Sequence, residues 1–156
     1  MTTRAADIMT RDVVIGTPDE TMIAVAKRLA EHGISALPLC DRERHVIGMV
    51  TEGDLLRPLR RSVLQKRARW LDLLAEGDRL SDEFVNYLKS GNHPVRDLMT
   101  TNVVSVSEET TLSEMAELMV DKKIKRIPVV KDGVLVGIVS RADIIRALVR
   151  ADNIEA

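Results

Sequence analysis

A chain of 156 residues, 45% hydrophobic and 30% charged, can bury one sizeable core or two closely packed ones, and its composition is that of an ordinary globular protein. A net charge of −1 supplies no global field to recruit nucleic acid or an anionic membrane, and a single cysteine, Cys40, rules out an intrachain disulfide. No apolar run approaches the roughly 18–20 residues of a membrane span, and the first seven residues lack the apolar stretch of a signal peptide, so a soluble, cytoplasmic protein is expected.

The chain opens on Asp7-Ile-Met-Thr10, and the β-branched run Val13-Val-Ile15 predicts a first strand. Met22, Val25, Ala26 and Leu29 then recur at helical spacing. Ile34-Ser-Ala-Leu-Pro-Leu-Cys40 and Val46-Ile-Gly-Met-Val50, joined by the turn Asp41–His45, predict a hairpin. A second helix begins after Thr51. The order is β-α-β-β-α.

Residues 58–93 differ in kind. Arg57, Arg60, Arg61, Lys66, Arg67 and Arg69 form a basic cluster, and the three aromatic residues of the chain, Trp70, Phe84 and Tyr87, all lie here. Trp70-Leu-Asp-Leu-Leu74 supplies one apolar face, while Leu80, Phe84, Val85 and Leu88 supply another at helical spacing before Gly91-Asn-His-Pro94 ends it. This stretch is expected to be a helical insert whose aromatics anchor it to the rest of the chain or to a second subunit. One tryptophan is too few for a base-stacking platform, so nucleic acid is set aside as a partner.

From residue 94 the opening pattern returns. An offset of 90 brings Asp7-Ile-Met-Thr10 onto Asp97-Leu-Met-Thr100, Val13-Val14 onto Val103-Val104, Thr21 onto Thr111 and Pro38 onto Pro128. The run Val103-Val-Ser-Val106 is the counterpart strand, and Thr111-x-x-Glu114 a capping box before the counterpart helix. After one gap in the turn, Gly48, Val50, Asp54 and Arg57 meet Gly137, Val139, Asp143 and Arg146, with Ser140 keeping the hydroxyl of Thr51. The organisation read from this is a repeat at 5–57, an insert at 58–93 and a second repeat at 94–150. The fold class is α/β (α+β), with two β-α-β-β-α units packed sheet to sheet about a pseudo-twofold axis. Such a junction creates two equivalent clefts, a natural seat for a small ligand.

The motifs Asp7-Ile-Met-Thr10 and Asp97-Leu-Met-Thr100, Ser-Ala-Leu-Pro38 and Lys-Arg-Ile-Pro128, and Gly48-Met-Val-Thr-Glu-Gly-Asp54 and Gly137-Ile-Val-Ser-Arg-Ala-Asp143 resemble, in order and in both copies, the CBS-domain family named for cystathionine β-synthase. A tandem pair of such units is called a Bateman module. The resemblance implies a regulatory module that binds adenosine-containing ligands such as AMP, ADP, ATP or S-adenosylmethionine, occasionally a dinucleotide. It also implies pairing into a homodimer and a conformational signal to a regulated partner that the residues do not name. By position, it places Ser140, Arg141 and Asp143 with Thr10, Val13, Ser35, Ala36 and Leu37 in one cleft. It places Thr51 and Asp54 with Thr100, Val103, Lys125, Arg126 and Ile127 in the other.

The chemistry of these residues agrees with that reading. An ionised Asp54 or Asp143 has only acceptors and suits a vicinal diol. Thr51 and Ser140 stand at helix starts, where unused N–H groups and the dipole favour phosphate. Arg126, with Ala36 as its counterpart, could add a bidentate phosphate contact, but Glu52 in place of Arg141 puts a negative charge near any phosphate in the Thr51/Asp54 cleft, so the Ser140/Asp143 cleft is favoured for a phosphorylated ligand. The same Thr/Ser-x-x-Asp spacing is also that of a helix cap, and the residues alone leave capping and binding both open. Cys40 is expected to be a small buried hydrophobe, and His32, His45 and His93 lack the spacing of a zinc site. No nucleotide-loop, zinc-protease or nucleophile motif is present, so neither catalysis, a catalytic cofactor nor a metal is expected. A ligand-free structural, oligomerisation or protein-interaction module is the alternative.

Overall fold

The computed structural model describes residues 2–56 and 93–155. The basic cluster from Arg57 to Arg69, the aromatics Trp70, Phe84 and Tyr87, and the two expected insert helices lie outside the described residues.

The chain begins with a single turn, α1 (Ala5–Ile8), closed by Asp7, whose Oδ2 accepts the Arg4 N–H at 2.8 Å. Helix α2 (Met22–His32) starts where the Thr21 hydroxyl accepts the Ala24 N–H, and it buries Met22, Val25 and Leu29. It stops at Gly33, whose φ of 62° lies in the left-handed region that glycine enters without penalty. Strands β1 (Ala36–Cys40) and β2 (Val46–Thr51) form one small sheet, after which residues 52–56 are helical. The second copy repeats this plan. Helix α3 (Leu112–Lys122) carries the expected capping box, with Thr111 N–H on Glu114 at 2.9 Å and Glu114 N–H on the Thr111 hydroxyl at 3.3 Å. Strands β3 (Arg126–Lys131) and β4 (Val134–Ser140) pair antiparallel, and α4 (Arg141–Glu155) follows directly.

The strands expected at Val13–Ile15 and Val103–Val106 shrink to single bridging residues. Gly16 pairs in parallel with Leu39, and Val106 with Val129. Proline explains the truncation. Val106 N–H donates to the Pro128 carbonyl at 3.0 Å, and Val130 N–H returns to the Val106 carbonyl at 2.8 Å. The next ladder bond would need a Pro128 N–H, which does not exist. Pro38 stands in the same place, its carbonyl accepting the Gly16 N–H at 3.0 Å.

The described residues form two compact units, and each draws on both sequence copies. One takes residues of Met1–Ile15, Cys40–Ile47 and Asn102–Ala156, the other those of Gly16–Leu39 and Gly48–Thr101. In the first, Thr10 exchanges backbone hydrogen bonds with Ile138 at 2.9 and 3.0 Å, on the edge of β4 away from β3. Its core joins Ala5 and Met9 to Met115, Met119, Ile127, Val129, Val139 and Ile144. In the second, Thr100 does the same with Met49 on β2, at 2.8 and 2.9 Å. Each Asp-x-Met-Thr segment thus completes the sheet of the other copy. The glycine inside each second hairpin strand makes room for it: a Cβ on Gly48 would stand 2.5 Å from the Met99 sulfur, and one on Gly137 would stand 2.8 Å from Met9 Cγ.

One ion pair ties the loop before α2 to that helix. Arg28 grips Glu20 through both guanidinium ends, at 2.8 and 2.5 Å, while Thr17 N–H donates to the same carboxylate at 2.8 Å. The Arg28 hydrogen bond, aided by that N–H, holds the Glu20 carboxyl below its ordinary 4.5 although burial pulls the other way. A folded value below the unfolded one means that this stabilisation is fully present above pH 4.5 and is lost as pH falls through the folded value. Glu20→Gln is expected to cost about 1 kcal/mol at pH 7 and much less at pH 3, read as the difference in urea midpoints. An equal difference at both pH values would deny the pair its role.

Candidate functional site

Each hairpin delivers a hydroxyl and a carboxylate to the head of the helix that follows it. In the unit built around the second copy, Ser140 ends β4 and opens α4. Its N–H donates to Asp143 Oδ2 at 2.8 Å, and Asp143 N–H donates back to Ser140 Oγ at 3.2 Å. The remaining oxygen, Oδ1, takes the Arg146 guanidinium one turn along. Arg126 lies directly across the hairpin from Ser140, and the Lys125 carbonyl accepts the Arg141 N–H at 2.8 Å. Thr10 sits exposed beside Ile138, two residues before Ser140. Lys125 and Arg141 are exposed, and Arg126, Val13 and Val103 are half-buried. The Ile127 side chain is fully buried, so only its backbone is available to a ligand.

The unit built around the first copy repeats this frame with different charges. Thr51 N–H donates to Asp54 Oδ2 at 2.9 Å, Asp54 N–H to Thr51 Oγ1 at 3.1 Å, and Glu52 N–H to the Ser35 carbonyl at 2.9 Å. Thr100 bridges Met49, two residues before Thr51. Asp54 is 5% exposed, the only buried charged residue among those described. Ala36 and Leu37 are buried, Leu37 completely.

Two features of these positions bear on what they can bind. Antiparallel pairing sets the start of one hairpin strand against the end of the next, so register joins Arg126 to Ser140 and joins Ser35 to the Thr51–Glu52 junction. The expected supply of unused N–H groups at the helix heads is also largely spent. Ser140, Arg141 and Asp143 all donate within the protein, as do Thr51, Glu52 and Asp54. Capping is therefore realised in both copies, and it is what fixes the carboxylates in place. Positive charge near the Ser140 end comes from Lys125, Arg126, Arg141 and Arg146, whereas Glu52 adds negative charge at the Thr51 end. Arg146 had no role in the sequence reading; its signal was the i, i+3 spacing from Asp143.

Elsewhere, Cys40 is buried and burial pushes its thiol pKa up, which suits a packing role. Among the described residues no group of three His, Cys, Asp or Glu side chains is placed to hold a metal ion, and no helix is long and apolar enough to cross a membrane.

A family model for the CBS domain matches residues 5–61 and 95–150. The chain belongs to the CBS domain family. Proteins of this family are generally regulatory. Hypoxic response protein 1 of Mycobacterium tuberculosis is 31% identical over 146 residues, covering 94% of this chain and 85% of that protein. The uncharacterized protein MK0525 of Methanopyrus kandleri is 32% identical over 141 residues, which span 90% of this chain and 60% of that protein. The crystal structure of Arabidopsis thaliana CBSX2 in complex with AMP matches with a TM-score of 0.73 at 27% identity, covering 96% of this chain and 98% of that one. Both CBS repeats carry the hydroxyl–carboxylate cap, and they differ in the charge around it.

Proposed function

We propose that this CBS pair is a regulatory sensor that binds an adenosine-containing nucleotide of the AMP, ADP, ATP or S-adenosylmethionine class and passes its occupancy to a partner protein. The observation that carries this reading is the likeness over nearly the whole chain to CBSX2, a protein solved with AMP. Asp143, held rigid by its cap, accepts the ribose hydroxyls. Ser140 and Thr10 bond the sugar or phosphate, Val13 and the backbone at Ile127 flank the base, and Lys125, Arg126 and Arg141 balance phosphate charge. Thr51 and Asp54, with Ser35, Ala36, Leu37 and Thr100 as supporting positions, form a second, weaker candidate for anions because Glu52 repels phosphate. A second copy of the chain covers the apolar stripe Ile145, Leu148 and Val149 of α4, which is 49–54% exposed. The adenosine compound is a regulatory ligand and no catalytic step is assigned to it.

A thermal-shift panel of AMP, ADP, ATP, S-adenosylmethionine and NADH tests this. Binding at a hundred times Kd stabilises by about 2.7 kcal/mol, a rise in Tm of roughly 5–10 °C for a chain of this size. A flat panel at millimolar ligand would overturn the sensor reading. It would favour a ligand-free interaction module, for which the fully engaged caps at Asp54 and Asp143 are the supporting observation.

A further inference from the structure

Resting on the sensor reading, we infer that Arg146 sets the specificity of the Ser140/Asp143 site for phosphorylated over unphosphorylated adenosine compounds, by occupying Asp143 until a phosphate draws it away. The carboxylate has two oxygens, and they have different duties. Oδ2 holds the Ser140 N–H at 2.8 Å and closes the cap of α4. Oδ1 is the oxygen left to face a sugar diol, and the Arg146 guanidinium is bonded to it. Any ribose that docks on Asp143 must share or displace that contact.

The two side chains are unequal in mobility. Asp143 has a side-chain exposure of 11% and is fixed at both its backbone and its carboxylate, whereas Arg146 has one of 59% and stands in solvent one helical turn away. An exposed ion pair of this kind is weak, so a diol displaces it at the cost of a few-fold in affinity. The released guanidinium remains anchored on the turn beside the sugar, within reach of the 5′ substituent of the same nucleoside. A phosphate there offers a bidentate partner and restores more than was lost. A neutral nucleoside meets the competition and gains nothing in return. Lys125, Arg126 and Arg141 also supply positive charge, and it is the bond of Arg146 to the diol acceptor that couples sugar binding to phosphate binding. The counterpart in the other copy, Arg57, lies outside the described residues, and the inference is confined to this site.

Calorimetric titrations of the full chain and of Arg146→Ala with adenosine and with AMP, at one ionic strength, test the assignment. The variant is expected to bind adenosine about threefold tighter. It should bind AMP roughly tenfold weaker, so the AMP-to-adenosine preference falls about thirtyfold. Arg146→Lys keeps the charge without the planar fork and should fall between them. The AMP affinity of the unaltered chain should also decline more steeply with added salt than that of Arg146→Ala. A preference unchanged within twofold, or an equal loss of both ligands, would overturn the role of Arg146 while leaving the sensor reading intact. Failure of the unaltered chain to bind either ligand would overturn both.

Discussion

Gly137→Val is expected to destabilise the chain by about 3 kcal/mol, lowering Tm by roughly 6–12 °C. The site is a strand interior with no spare volume. A first side-chain carbon there would lie 2.8 Å from Met9 Cγ and 3.1 Å from Met9 Cβ, and a β-branched residue adds two more. Met9 is itself nearly buried, so it cannot swing into solvent without vacating the core it shares with Ile127 and Val139. Moving Met9 also strains the neighbouring exchange of backbone hydrogen bonds between Thr10 and Ile138. Thermal melts of Gly137→Val, Met9→Ala and the pair give the check. The double variant should recover part of the loss, because the shorter side chain relieves the clash. Gly53→Ala is the matching control: only Thr51 Oγ1, at 3.6 Å, lies near its added carbon, and a helical alanine is favoured over glycine by up to about 1 kcal/mol. A Gly137→Val chain as stable as the unaltered one would show that the Met9 seat is not needed.

Asp143→Ala is expected to act twice, and the two effects separate cleanly. Without ligand, the loss of the cap to the Ser140 N–H should cost about 1 kcal/mol. With AMP present, the ligand-dependent rise in Tm should vanish, a further difference of about 2–3 kcal/mol at saturating nucleotide. Asp143→Asn retains one oxygen for the cap and should restore much of the basal stability while remaining a poor diol acceptor, since its amide presents a donor where the carboxylate presents a lone pair. Equal AMP-induced shifts in Asp143→Ala and the unaltered chain would reduce Asp143 to a helix cap.

Much of this architecture is legible in the residues, for reasons that can be named. The helices at 22–32 and 112–122 announce themselves through Thr21 and Thr111 as caps and through Met22, Val25 and Leu29 or Met115 and Met119 as a buried face. The hairpins follow from two apolar runs around a short turn. The leading strands do not survive, and the cause was in view: Pro38 and Pro128 lack the N–H that a longer parallel ladder requires. That Thr10 belongs beside Ile138, and Thr100 beside Met49, is invisible to periodicity, because a one-residue bridge has no repeat to detect. Only the family resemblance suggested it. The N–H groups at the two helix heads looked available because a linear reading counts donors without seeing their acceptors. In the fold, the Lys125 and Ser35 carbonyls and the Asp143 and Asp54 carboxylates claim them. Arg146 was overlooked for the opposite reason, since its spacing from Asp143 suggests an ordinary surface pair until the carboxylate is seen to have one oxygen already committed.

Whether this CBS pair holds an adenine nucleotide is decided by equilibrium titration of the purified chain with AMP, followed by isothermal calorimetry. Saturable binding that is strongly reduced in Asp143→Ala is the expected result. Absence of saturable heat up to millimolar AMP, or binding unaffected by Asp143→Ala, would contradict it.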